Sequence, residues 1–148
     1  MAPAQRVCVA IAAGIAYPFL LTWLYAYGGQ ISLLSLAAAK QLGPPATVHS
    51  AFFVVSALCW ALIVGLLFGV PFGLAFRKGQ IFSFWLLFVA AGALAQFIAQ
   101  LFASLDVRVL VDEWSLPDVW LNLVAILAIA YLIAALRQSH APTVKTAP

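Results

Sequence analysis

Long apolar runs alternate with short polar breaks along this chain, at a spacing that fits membrane-crossing helices. Four runs without Asp, Glu, Lys or Arg cover residues 7–39, 41–76, 79–105 and 119–136. A helix needs about 17–25 apolar residues to cross a hydrocarbon core. Each run meets that length. The pattern predicts an all-α membrane protein with four transmembrane helices, over about 7–27, 50–76, 81–104 and 117–136.

Local signals place the ends. Pro18 removes a backbone donor inside the first span and predicts a kink, and Gly28-Gly29 ends that span. Residues 31–42 are apolar, with Ser32, Ser35, Lys40 and Gln41 spread around the wheel. They predict a helix lying on the membrane surface, stopped by Gly43-Pro44-Pro45. The second span begins near Thr47 or Ser50 and carries Pro71 in its last third. Arg77-Lys78-Gly79 predicts a tight turn. Val107, Val109 and Val111 alternate with polar residues and suggest a short extended piece over 106–113. In Ser115-Leu116-Pro117-Asp118 a hydroxyl stands at a cap, a proline at the first helical position and a carboxylate in the first turn. The tail 138–148 is polar and proline-containing, which predicts disorder. One domain, residues 1–137, carries all four helices in a compact bundle. The run Val7 to Tyr27 exceeds a usual signal-peptide core and lacks a small-x-small cleavage site, so it reads as a retained span.

Charge adds orientation. Only 7% of the residues are charged, against roughly 25% in soluble domains. Arg6, Arg77, Lys78, Arg137 and Lys145 fall on one side of the predicted topology; Lys40, Arg108 and all four acids fall on the other. The positive-inside rule then puts both termini in the cytoplasm. Trp23, Tyr25, Tyr27, Trp114 and Trp120 fall near the outer interface and Trp85 near the inner one, where amphipathic rings prefer to sit. The alanine-rich, lysine-poor composition suggests a plasma membrane of bacterial type, an inner membrane. No basic cluster resembles a nucleic-acid site.

Three features stand out. Gly65, Gly69 and Gly73 share one face of the second span, and Ala91, Ala95, Ala99 and Ala103 share one face of the third. Lipid supplies little hydrophobic drive between helices, so small residues mark close backbone approach. This glycine-zipper pattern predicts that spans two and three pack together, or that the face meets a partner protein or a second copy. Next, Thr22, Ser56, Gln96, Gln100 and Asn122 place polar side chains in the outer part of all four spans. Polar groups turn away from lipid. The layer is expected either to hydrogen-bond internally, with Gln100 facing Asn122, or to line a hydrated vestibule or small-ligand pocket. Finally, Asp106, Asp112, Glu113 and Asp118 crowd one loop. They read as a solvated connection, or as a weak cation or docking surface.

Catalytic chemistry has little to stand on. Apart from Asp118 in the first turn of the fourth, no span holds Asp, Glu, Lys, Arg or His, although relays and coupled transporters place ionisable groups there. His49 and His140 lie on opposite sides of the predicted membrane, as an axial haem pair would not. Cys8 and Cys59 differ in depth and read as small packers rather than a disulfide. No cofactor or metal is expected. The first functional expectation is a non-catalytic accessory or partner-binding membrane subunit acting through helix faces. The second is a passive permeation or small-ligand-binding protein using the outer polar layer. A lipid-modifying enzyme is a third class, with no residues to support it.

Overall fold

The computed structural model of the chain describes residues 2–28, 33, 36–38, 40, 41, 45–102 and 117–139. Among them all regular structure is helical, and four helices are long and apolar enough to cross a membrane. The first span is α1 (Pro3–Tyr27). The second is composite: α2 (Pro45–Val64), a π-helical turn (Gly65–Gly69) and α3 (Val70–Ala75). A short 3-10 turn (Lys78–Gln80) leads into the third span, α4 (Ile81–Phe102). The fourth span is α5 (Pro117–Ser139).

The two prolines inside spans act differently. Pro71 follows the π-helical turn directly. Its ring would crowd the carbonyl of Leu67 in a regular α-helix, and a wider turn relieves that crowding. Pro18 leaves α1 continuous. Its missing N–H frees the Gly14 carbonyl, and that oxygen faces Gly92 of α4. The Thr22 hydroxyl donates to the Pro18 carbonyl at 2.9 Å, so Thr22 is satisfied within its own helix.

Pairing of the spans skips chain neighbours. The most extensive contacts join α1 to α4, and the second span to α5. Within each pair the contacts climb in step. Arg6 meets Gln80, and Gly14 meets Phe88 and Ala91. Gly65 meets Ala125, Gly69 meets Ile126 and Gly73 meets Ala130. Each pair is therefore parallel, and the turn at Lys78–Gln80 sets the two pairs antiparallel. Between the pairs lies an aromatic core. Phe88 stands 5.3 Å from Tyr17 and 5.8 Å from both Phe68 and Phe72, ring centre to ring centre. Phe76 stacks on Phe84 at 4.4 Å.

The outward faces are apolar. Phe19, Leu62, Leu66, Leu94 and Leu132 are all exposed, a surface suited to lipid rather than water. Trp23 and Trp120 are exposed as a headgroup position requires, but Trp85 is not. Only 9% of Trp85 is exposed, and its indole N–H donates to the Leu123 carbonyl at 3.0 Å. It is an interhelical tie, not the interfacial ring expected of it, because burial gives its one donor a partner on α5. α5 also runs through Gln138 and Ser139, two residues into the expected tail. The expected extended piece over 106–113, the Ser115 cap and residues 140–148 fall outside the described residues. Of 31–42, the described positions 33, 36–38, 40 and 41 are helical.

Candidate functional site

The glycine face of the second span is closed, and its cover is α5 rather than α4. A Cβ built on Gly65 would lie 2.8 Å from Ile129 Cδ1. On Gly69 it would lie 2.8 Å from the Ile126 carbonyl oxygen, and on Gly73 2.6 Å from that of Ala130. At Gly69 and Gly73 these are approaches to backbone that only glycine permits, whereas Gly65 meets the tip of a side chain. The expected packing of span two on span three is corrected on this point. Ile129 and Ile133 of α5 ride in the glycine groove, and Ala125 and Ala130 let the two backbones close.

Alanines of the third span face a different neighbour. Ala91 meets Gly14 of α1. Ala91, Ala95 and Ala99 are each half-buried and floor an open groove between α1 and α4. Ile11, Ile15 and Phe19 form its α1 wall, and Leu94 and Ile98 line it from α4. The cavity measures about 420 Å³ and is apolar throughout. Gly14 and Gly92 bring the two helices together beside it: a Cβ on Gly14 would overlap the Phe88 carbonyl, and one on Gly92 would press on that of Gly14.

Two members of the expected polar layer, Thr22 and Asn122, bond to groups outside it. Asn122 is 2% exposed, and its amide nitrogen donates to the Tyr25 hydroxyl at 3.3 Å. Its Oδ1 is buried without a donor, and so is Gln100 Oε1. An amide–amide bond would occupy one of these oxygens, so the expected Gln100–Asn122 bond is absent. Asn122 instead ties α5 to α1. Thr22 points outward, whereas Ser56 and Gln96 are half-buried. Tyr25 also packs on Trp60, with ring centres 4.4 Å apart. Cys8 is exposed, Cys59 is half-buried and both are free thiols.

No family model, curated protein or solved structure matches the chain.

Function must therefore be read from these faces alone. Sequence reasoning missed Gly14, Gly92, Trp60 and Tyr25. The first two are single glycines without a repeat, and nothing in the spacing marks Trp60 as buried or Tyr25 as a partner of α5. The Tyr25–Asn122 tie is testable. Tyr25→Phe strands the amide nitrogen, and Asn122→Leu strands the hydroxyl, so removing both should cost less than the sum. A double-mutant cycle on thermal unfolding in detergent should show coupling of about 0.6 kcal/mol, typical of interhelical bonds in membranes. Strict additivity would remove the tie.

Proposed function

We propose that this protein is a non-catalytic accessory subunit of a bacterial inner membrane, a compact four-helix bundle that holds one apolar helix of a partner protein. The open groove between α1 and α4 carries this reading. Its alanine floor repeats every fourth residue, the period that lets a second helix lie close. The glycine face is already filled by α5, which leaves the alanine face as the small-residue surface free to bind. The scarcity of charged side chains within the apolar runs, which hold no Asp, Glu, Lys or Arg, supports a role without catalysis.

The test fills the groove. Ala95→Trp should leave the melting temperature nearly unchanged, because the added ring enters open space. A photo-crosslinking residue at Leu94 should trap one defined membrane protein in cells, and Ala95→Trp should abolish that product. The same probe at Leu132, on an exposed face of α5, should trap none. Trapping of a second copy would make the protein a homo-oligomer. Equal products from both faces would defeat the proposal.

The distribution of basic residues supports a cytoplasmic side for both termini. Single cysteines at Lys40 and Asp112, in a background lacking Cys8 and Cys59, should react with an impermeant thiol reagent in intact cells. Labelling at Gly79 instead would reverse the topology.

A permeation or small-ligand reading draws on one observation. Asn122 Oδ1 and Gln100 Oε1 are buried acceptors without donors, and water or a small donor-bearing solute would satisfy them. The aromatic core around Phe88 weighs against a continuous path.

A further inference from the structure

At the end of the bundle opposite Asn122, cations converge. A basin of about 580 Å³ is lined by Arg6, Arg77, Lys78 and Arg137, with Gln138 beside them. Among the described residues no carboxylate lines it. The acids of the chain all lie within residues 106–118, and the one described, Asp118, starts α5 at the far end.

Two of the guanidiniums are held in place. Arg6 Nη1 donates to Gln80 Oε1 at 2.8 Å, and Arg137 Nη1 donates to the Leu74 carbonyl at 2.7 Å. A guanidinium has five N–H donors, so each keeps others for a ligand. Arg6 Nε is buried and has no acceptor at all. Solvated anchoring charges on separate helix ends spread apart to lower their repulsion. Here residues from α1, the turn after α3 and α5 share one concavity, and an anion would relieve the repulsion. The rest of the lining is apolar: Leu74, Ala75, Phe76 and Ala134.

We propose that this basin binds the phosphate of an anionic phospholipid, with the guanidiniums on the phosphate oxygens and the apolar lining against the glycerol and upper acyl chain. Arginine forks match phosphate oxygens in pairs. Basic pockets between helix ends at the membrane surface take such headgroups. The basin sits where the spans end, which is headgroup depth in either orientation. It is separate from the α1–α4 groove and does not depend on the accessory-subunit reading.

Native mass spectrometry of the full chain in detergent tests this, with phosphatidylglycerol and phosphatidylcholine titrated in parallel. Wild-type protein should retain phosphatidylglycerol preferentially. Arg77→Gln with Lys78→Gln removes two charges whose side chains hold no helix, and should weaken that binding about tenfold or more. Arg6→Gln should weaken it as well, and Lys40→Gln, outside the basin, should not. Equal retention of the two lipids, or unchanged preference in the Arg77/Lys78 variant, would overturn the assignment. Displacement by an equal concentration of inorganic phosphate would assign the basin to a soluble phosphate and overturn the lipid source.

Discussion

Gly69→Leu should prevent the second span from seating on α5. Overpacking a well-filled core typically costs about 1–3 kcal/mol, because flexible side chains give way. At Gly69 the obstacle is the Ile126 carbonyl oxygen, 2.8 Å from where a Cβ would sit, with Ile129 Cβ at 2.9 Å. A helix backbone cannot step aside alone. The whole of α5 must move, which would also pull at the Trp85 bond to Leu123 and the Arg137 bond to Leu74. The expected loss is at the top of that range or beyond it, about 3 kcal/mol or more. It should appear as a collapsed melting transition in detergent, or as failure to purify as a single species. Gly73→Leu should behave alike. Gly79→Leu is the control: nothing lies within 4 Å of its added Cβ, and its stability should match the wild type. If Gly69→Leu melts like Gly79→Leu, the close contact of the second span with α5 does not exist in the membrane.

That contact also marks where sequence reading stopped. The four spans were legible because charges and helix breakers such as Gly28 and Pro117 delimit them, and the bilayer sets a minimum length. The repeat of Gly65, Gly69 and Gly73 declared a tight helix contact. It could not declare the partner, because lipid rewards fit rather than burial and any helix with small residues competes. Ala125 and Ala130 on α5 decide the matter, and their fit depends on Ile129 and Ile133 falling into register. Span three drew attention for its alanines, yet its own partner was fixed by Gly14 and Gly92, lone glycines with no pattern. Loop length suggested that Gln100 and Asn122 would meet, since consecutive antiparallel spans are usually neighbours. The pairing of α1 with α4 gives Asn122 the Tyr25 hydroxyl instead. Position in the sequence assigns both Tyr25 and Trp85 to the interface, and only Trp85 departs from it: Tyr25 is 45% exposed, Trp85 9%. Such aromatics show which end of a helix they occupy, not whether they turn inward.

Phe88→Ala should produce the second-largest loss, by the opposite physical route. Phe88 is 1% exposed and touches rings from α1 and from the π-helical turn and α3 of the second span: Tyr17, Phe68 and Phe72. In a soluble core, Phe→Ala costs about 3–5 kcal/mol, combining lost transfer energy with the cavity left behind. In a membrane the separated helices already sit in hydrocarbon, so most of the transfer component cancels. What remains is lost dispersion contact, lost edge-to-face ring geometry and the void itself. The expected cost is therefore lower, about 2–3 kcal/mol, with Phe88→Leu near 1. Thermal unfolding in detergent would measure both. A Phe88→Ala loss as small as that of an outward-facing Leu94→Ala would mean the ring cluster does not hold the pairs together. The same variant separates the two functional readings. In sealed proteoliposomes an accessory subunit should show no solute flux, before or after Phe88 is truncated. Flux in the wild type that rises when the ring is removed would identify the core as a gated path and would replace the partner-binding proposal. Flux absent from both would leave Asn122 Oδ1 and Gln100 Oε1 as sites of isolated buried water.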